Sequence, residues 1–491
     1  MTTNDTIPGP PHIQGAAAGR FAGTPGVGVP DWAALPVILA GTFMVTLDFF
    51  IVNVAIPTMQ RSLHATTTEI QWTVAGYALA IAAGVITAGR LGDLYGRRRM
   101  YSIGLALFTL ASLACGVAGT AAELVAARVA QGLAAALMTP QVLAIITTAF
   151  SGTRLGRAFT VYGLTLGIAA VFGQLIGGVL IRADVLNLDW RSCFLINLPI
   201  GALALALAPR VVPKSAGTHT AKLDLLGMVL VTLALVAVVL PLIQGQSLGW
   251  PWWTYVSFAI GALLLGTYGW YQRALTRRNG QPLIDLRMFT SRGFAVGIGT
   301  QLVFWCGQAS FFLFLAIYLQ DARQLTPLAA GVVFTAIGAG YLATSTSAGQ
   351  LSARLGRHAV TIGVLLMAIA LIAMQATVRS IGTAGAVAWL VPSLVVDGLG
   401  MGMALSPLAS MALAYVPARL AGAGSGILST AMQVGGALGI AVLGVVFYHA
   451  LGHGSGIPAA FGNALICLAI IEVGVATLVQ FLPRQVQQPS D

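Results

Sequence analysis

Four charged residues lie inside long apolar stretches of the chain, and they are the first candidates for chemistry. They are Asp48, Arg128, Asp397 and Glu472. A charge at the centre of a lipid bilayer costs roughly 3 kcal/mol or more, so a charge kept there is by default a functional-site hypothesis. Carboxyl groups in such places can load and release protons. We predict proton coupling at these four positions.

Asp48 and Arg128 make the most specific pair among them. Burial favours the protonated form of a carboxyl group, whereas a nearby arginine favours the ionised form. A carboxyl group whose arginine contact changes between two conformations can therefore load and release a proton. Arg128 can supply that contact because arginine stays charged when it is buried. The alternative is a static Asp48–Arg128 ion pair that braces two helices.

Asp397 and Glu472 have less specific surroundings. Pro392 and glycines 398, 400 and 402 flank Asp397, and small residues allow helices to approach closely and bend. Asp397 is predicted as a second proton or cation site, or alternatively as an inert residue near the wet end of its helix. For Glu472 we predict a part in transport. The alternatives are a local hydrogen bond or a side chain that extends toward the membrane surface.

The sequence lacks the arrangements that enzymes and ATP-driven pumps use. It contains no nucleophile–base arrangement and no Gly-x-x-x-x-Gly-Lys-Ser/Thr phosphate loop. Its four cysteines are far apart without a CxxC spacing and are predicted to pack rather than to bind metal. His449 and His453 lack a third ligand for a metal. We predict no cofactor, no metal and no enzymatic activity.

The elements that must position these residues follow from composition. The chain has 491 residues, of which 57% are hydrophobic and only 8% are charged, against roughly 25% charged in soluble domains. This excludes a soluble enzyme, a disordered protein and a disulfide scaffold, and it predicts an all-α polytopic membrane protein. Fourteen apolar spans are predicted, at residues 33–57, 70–90, 100–119, 122–147, 157–181, 192–209, 223–244, 253–271, 293–319, 327–350, 359–377, 383–412, 422–449 and 460–482.

The positions of the basic residues predict the topology. With fourteen spans both termini lie on one side, and the loops and tails of that side hold 19 Lys and Arg against 5 in the other loops. Basic residues concentrate in cytoplasmic loops, so both termini are predicted to be cytoplasmic. The same distribution assigns the net charge of +11 to topology rather than to nucleic acid, and no nucleic-acid partner is expected.

One loop motif occurs twice. GRLGDLYGR at Gly89–Arg97 follows span 2, and GQLSARLGR at Gly349–Arg357 follows span 10, 260 residues later. Two homologous six-helix halves with two extra spans between them explain this offset, and duplicated halves are typical of secondary transporters. The predicted parts are a disordered cytoplasmic tail (1–30), an N-terminal six-helix bundle (31–209), two inserted helices with their loops (210–290), a C-terminal six-helix bundle (291–483) and a second tail (484–491).

Motifs along almost the whole chain resemble those of the major facilitator superfamily, in its fourteen-helix drug:proton antiporter type. The first-helix motif LDxTIVNVALP is similar to LDFFIVNVAIP, and the loop motif GRLGDRxGRR is similar to residues 89–99. Two departures are Phe50 in place of Thr, and Gln174 where proline usually follows the central glycine of the fifth-helix motif. Further matches are RVAQG at 128–132, the fifth-helix glycines, FLINLPIG at 194–201, YLQ at 318–320, TPLAAG at 326–331 and QVGG at 433–436.

The resemblance implies roles for two of these motifs. Gly89, Asp93, Gly96 and Arg97 are predicted to latch the cytoplasmic face in one conformation, with Asp93 pairing an arginine or a helix N-terminus; the alternative is a plain basic loop. The fifth-helix glycines allow close helix packing, and in this family the packing limits proton leak. They are Gly163, Gly167, Gly173, Gly177 and Gly178.

The predicted function is proton-coupled export of small hydrophobic or cationic compounds by alternating access, from the cytoplasm across the cytoplasmic membrane. The alternatives are a metabolite importer on the same fold and a non-transporting receptor. The expected partners are the substrate, protons and the lipid bilayer, and the sequence leaves open a periplasmic adaptor. Polar and aromatic residues within the spans are candidates for the substrate cavity, although such residues also serve in packing: Asn53, Tyr77, Gln131, Gln174, Trp305 and Gln308.

Overall fold

The structure is a computed structural model that describes residues 31–184, 187–214, 224–245, 248–278, 282–284, 286–417, 420–452, 454 and 456–482. Fourteen long helices, labelled α1 to α14, make up most of these residues, and no strand occurs among them. Their bounds are α1 Asp31–Ser62, α2 Thr67–Tyr95, α3 Arg97–Val117, α4 Ala121–Ala149, α5 Gly152–Ala183, α6 Asn197–Val211, α7 Leu225–Gln244, α8 Trp252–Arg277, α9 Arg292–Ile317, α10 Pro327–Ser345, α11 Arg357–Ile381, α12 Val391–Leu413, α13 Ala421–Gly452 and α14 Ile457–Val479.

These helices agree with the fourteen predicted spans. In the described part of the chain, twelve are long and apolar enough to cross a membrane, and α5, which bends by 41° in its middle, makes a thirteenth. Helix α8 has 26 residues, which is about 39 Å at 1.5 Å per residue, but its Trp, Tyr and Gly residues make it less apolar. The predicted fold class of an all-α membrane protein is confirmed.

The helix contacts repeat with a period of eight helices. Helix α1 packs on α4, α5 and α6, and α9 packs on α12, α13 and α14. Likewise α4 packs on α2 and α3, as α12 packs on α10 and α11, and α3 meets α6 as α11 meets α14. Helices α7 and α8 pack on each other, and α7 also lies against α2 and α13. The architecture is therefore two six-helix bundles with two inserted helices, while the predicted domain boundaries stay a prediction.

Both described ends of the chain lie at the same end of the molecule as the α2–α3 turn, which we call the motif face. Trp32 at the start of α1 packs against Phe150 at the end of α4, with ring centroids 5.1 Å apart. Arg98 donates to the Val212 carbonyl after α6 at 3.2 Å, and Arg357 donates to the Leu482 carbonyl after α14 at 2.6 Å. An arginine directly after the first motif copy and one at the end of the second thus bind the ends of equivalent helices of the two halves.

Local sequence signals explain several helix starts. Thr66 with Glu69 and Thr120 with Glu123 form reciprocal capping boxes at α2 and α4, which satisfy amide groups that a helix leaves unpaired. Hydrogen bonds from the Thr66 amide and hydroxyl hold the pKa of Glu69 below its usual value. Both starts lie at the end of the molecule opposite the motif face.

Candidate functional site

The Asp48 carboxylate is the centre of a buried polar cluster in the first half, which we call the Asp48 cluster. Asp48 of α1 is fully buried and forms an ion pair with Arg128 of α4. Its other oxygen accepts from Gln131 Nε2 at 2.9 Å and from Asn197 Nδ2 at 3.2 Å. Helices α1, α4 and α6 meet at this carboxylate, which explains how a charge is kept inside the bundle.

Helix α3 contributes further members of the Asp48 cluster. The Ser112 hydroxyl accepts from Asn197 Nδ2 at 2.9 Å and from Gln131 Nε2 at 3.1 Å, and it donates to the Phe194 carbonyl at 3.0 Å. The Cys115 thiol lies 3.6 Å from Gln131 Oε1. These contacts hold the two amide groups with their N–H bonds directed at Asp48.

The Arg128 guanidinium is held on several sides. Its Nε donates to the Thr73 carbonyl at 3.0 Å, and its Nη1 donates to Gln131 Oε1 at 2.7 Å. The guanidinium stacks over the Tyr77 ring at 3.9 Å, an arrangement that stabilises a cation. The Tyr77 hydroxyl in turn donates to the Val45 carbonyl of α1 at 3.2 Å.

Among the described residues, every hydrogen-bond partner of the Asp48 carboxylate is a donor. Arg128, Gln131 and Asn197 each direct an N–H group at the carboxylate, and donors directed at a carboxyl group favour its ionised form. The conformation described here is suited to an ionised Asp48.

Asp397, Glu472 and Gln308 form a second buried group, the Glu472 cluster. It occupies α12, α14 and α9, which correspond to the helices of Arg128, Asn197 and Asp48 in the first half. Gln308 Nε2 lies 3.5 Å from Glu472 Oε1. Both carboxyl oxygens of Asp397 and Oε2 of Glu472 lack a hydrogen-bond partner in the described structure.

The loop-motif residues join the two halves at the motif face. Asp93 of α2 accepts from the Gly422 and Ala423 amides at the start of α13, both at 3.2 Å, and pairs with Arg97 at 3.1 Å. A carboxylate at a helix N-terminus is favoured by the helix dipole. Asp93 thus meets both kinds of partner expected from the sequence, an arginine and a helix N-terminus.

The glycines of the loop motif have separate geometrical roles. A Cβ at Gly89 would lie 2.4 Å from the Gly422 carbonyl, so only glycine lets α2 and α13 approach this closely. Gly96 has φ of +92° in the turn between α2 and α3, a region that favours glycine. Arg97 then reaches the Ala144 carbonyl and the Thr148 hydroxyl of α4 at 3.2 and 3.0 Å.

The predicted glycines of α5 face several different partners. A Cβ at Gly163 would lie 2.8 Å from Ser406 Cβ, and one at Gly167 would lie 2.1 Å from the Tyr341 ring. A Cβ at Gly173 would approach Phe50 of α1 at 3.1 Å, and one at Gly178 would approach Leu328 of α10 at 3.2 Å. Gly177 is buried. The glycine-rich helix therefore packs against the second half along much of its length.

The predicted cavity residues do not form one group. Tyr77 and Gln131 belong to the Asp48 cluster, and Gln308 belongs to the Glu472 cluster. Gln174 is buried in α5 with an unpaired Oε1, and half-buried Trp305 has an unpaired indole N–H. The side chain of Asn53 lies outside what the structure describes.

Sequence reasoning missed several contacting residues. Ser112 and Cys115 gave no signal, because small residues are common in any membrane helix. Gln141 was a polar residue in an apolar span, and it donates to the Ala88 carbonyl at 2.7 Å beside the loop motif. Tyr341 lies in α10 and gave no signal, although it faces the α5 glycines.

Comparison with known proteins identifies the family. The family model of the Major Facilitator Superfamily matches residues 38–440 and 294–487. The chain belongs to the major facilitator superfamily. This confirms the predicted family, and the chain is a transporter rather than an enzyme.

Relatives and solved structures of the superfamily agree with this assignment. The chain is 38% identical to the probable actinorhodin transporter of Streptomyces coelicolor, over 86% of this chain and 73% of that protein. It is 32% identical to the tetracenomycin C resistance and export protein of Streptomyces glaucescens, over 86% and 77%. The structure of the proton:xylose symporter XylE bound to 6-bromo-6-deoxy-D-glucose is similar in fold, with a TM-score of 0.65, 15% identity and coverage of 92% and 96%.

Proposed function

We propose that this superfamily member exports a small hydrophobic or cationic compound in exchange for protons, by alternating access across the cytoplasmic membrane. The Asp48–Arg128 ion pair is the main observation that supports the proposal. Asp48 is a buried carboxylate held by hydrogen-bond donors, and a conformational change can remove those donors. The names of relatives, including a tetracenomycin C export protein, support a natural product or drug as substrate. The motif face, where the basic loops gather, is the cytoplasmic side.

Coupling follows from competition for Asp48. In the described conformation the carboxylate is neutralised by Arg128 and needs no proton. Opening that contact leaves a carboxylate that must bind a proton or a cationic substrate, since an unpaired charge within the membrane is costly. A transporter that alternates between these two arrangements exchanges protons for substrate.

The hydrogen bonds between Asp93 and the start of α13, which we call the Asp93 joint, control the conformational change at the cytoplasmic side. While Asp93 binds the start of α13, helices α2 and α13 are held together at the motif face. Substrate entry from the cytoplasm requires these contacts to separate. The loop motif is thus the latch of one state, which lies outside the Asp48 cluster and controls access to it.

Transport in proteoliposomes under an imposed pH gradient tests this function. With ethidium as a cationic probe, wild-type protein should accumulate the probe against its gradient only when protons flow the opposite way. Asp48→Asn should abolish accumulation while leaving passive exchange, because Asn keeps the size and part of the hydrogen bonding. Glu123→Gln is the matched control, since Glu123 is an exposed acid at the start of α4.

The contradicting outcomes are distinct. Proton-driven accumulation by Asp48→Asn at the wild-type level would remove Asp48 from coupling. Movement of probe and protons in the same direction would make the protein an importer. A survey of cationic and hydrophobic toxic compounds without any transport would support a non-transporting receptor.

A further inference from the structure

The Glu472 cluster is the C-terminal counterpart of the Asp48 cluster, but in it the acidic groups outnumber the hydrogen-bond donors. Gln308 stands 260 residues after Asp48, the same offset that relates the two loop motifs. The first half holds one carboxylate with a cation and two amide donors. The second half holds two carboxyl groups and one amide donor, Gln308 Nε2, which lies 3.5 Å from Glu472 Oε1 and does not bond Asp397.

No cation balances these two acids in the part of the chain that is described. Glu472 interacts electrostatically with Asp397 and accepts a hydrogen bond from the Gln308 amide. Neither acid pairs with a basic residue of a neighbouring helix. Two other titratable groups on neighbouring helices have partners of their own: Cys306 of α9 contacts Gly439, and Tyr341 of α10 contacts Gly163.

The burial of the cluster limits what can bind there. Asp397 and Glu472 are each 1% exposed. A Cβ at Gly307 would lie 2.9 Å from Glu472 Oε1, and a Cβ at Gly398, beside Asp397, would lie 2.0 Å from the Ile337 carbonyl. The helices are thus tightly packed at both glycines, next to the two buried carboxyl groups.

A proton is the ligand that this set of atoms fits. Two neighbouring carboxyl groups without cations repel each other when both are ionised, and a buried unpaired charge neutralises instead. Hard metal cations take about six or more oxygen ligands, whereas the two carboxyl groups and the Gln308 amide offer fewer. A proton also supplies the donor that the unpaired carboxyl oxygens lack.

We infer that Asp397, Glu472 and Gln308 form a second proton-binding site, within the second half, that is occupied while Asp48 is ionised. The two halves then hold opposite protonation states in one conformation. This inference deepens the proposed function, and it rests on that function only where it concerns coupling. The exchange cycle then uses one proton site in each half.

Infrared difference spectroscopy of the purified protein tests the site without any substrate. A protonated carboxyl group has a C=O stretching band that shifts in D2O, and the band disappears as the group ionises on raising the pH. Asp397→Asn/Glu472→Gln should remove the band that titrates in wild-type protein, and Asp48→Asn should keep it. Both amides preserve the side-chain size, and Glu472→Gln alone, which should lose part of the band, serves if the double variant does not fold.

Controls and contradicting results follow from the same spectra. Glu123→Gln should keep the band, because Glu123 is exposed and outside both clusters. A band that persists unchanged in the double variant or in folded Glu472→Gln overturns the inference. A band that Na⁺ removes at constant pH would show a metal site and overturn it as well.

The consequence for coupling is measured separately. A pH-sensitive dye should record substrate-induced proton release from wild-type protein and a smaller release from Glu472→Gln. If the infrared band behaves as expected but no substrate releases protons, the proton site stands and the proposed export function fails. An equal release from both proteins overturns the role of the site in coupling.

Discussion

Tyr341 of α10 donates a hydrogen bond to the carbonyl oxygen of Gly163 in α5 and thereby joins the two halves of the transporter. Its ring occupies the space that a side chain at Gly167 would need. Because the Tyr341 hydroxyl is hydrogen-bonded to the backbone and its ring packs on Gly167, this contact tolerates little added volume.

Gly167→Ala should disrupt this contact. The new Cβ would lie 2.1 Å from the Tyr341 ring, and overpacking of this kind costs about 1–3 kcal/mol. We expect an increased proton leak in substrate-free proteoliposomes, measured as decay of an imposed pH gradient. Gly266→Ala in α8 is the control, since nothing lies within 4 Å of a Cβ there. Tyr341→Leu should restore tightness to Gly167→Ala; leak at the wild-type rate in Gly167→Ala would contradict a sealing role.

Asp93→Ala should weaken the joint at the motif face. The variant loses the bonds to the Gly422 and Ala423 amides, and a charge at a helix N-terminus contributes up to about 2 kcal/mol. A loss of that size shifts the balance of conformations by up to roughly thirtyfold. The measurement is thiol labelling of Ile86→Cys in a cysteine-free background, because Ile86 is buried and a Cβ at Gly426 of α13 would lie 3.3 Å from its Cα.

Labelling of Ile86→Cys should become faster in the Asp93→Ala protein. Labelling at the exposed position of Tyr95→Cys on the same helix should stay constant. Equal labelling rates at position 86 with and without Asp93 would show that the motif is a plain basic loop and not a latch.

Arg128→Met should destabilise the protein more than the double variant Arg128→Met/Asp48→Asn. Removal of one partner from a buried ion pair leaves an uncompensated charge and costs about 3–5 kcal/mol, whereas removal of both avoids that cost. Thermal unfolding in detergent measures the difference. Additive losses in the double variant would show that the pair is not energetically coupled.

Glu69 gives a stability effect that depends on pH. The pKa of Glu69 is lowered by the bonds from Thr66, so its stabilising effect is present above the ordinary pKa of glutamate. This effect is lost as the pH falls through the lowered value in the folded protein. The difference in melting temperature between wild-type protein and Glu69→Gln should shrink toward zero on acidification. A constant difference at every pH would contradict the capping box as its source.

The topology has its own test. Reporter fusions after Lys214 should report the cytoplasm, and fusions after Gly249 should report the outside. The basis is the excess of basic residues on the side of the motif face. The reverse pattern would place the Asp93 joint at the outer surface and invert the proposed direction of transport.

The sequence by itself determined the fold class, the number of long helices and the family, whereas the tertiary structure decided the partners of each buried charge. An apolar stretch of about 20 residues becomes a spanning helix for reasons contained in that stretch, because lipid leaves the backbone no other hydrogen-bond partners. The facing side of each helix depends on its packing against helices far away in sequence. Asn197 thus reached Asp48, and Tyr341 reached Gly163, by contacts that no local pattern carries.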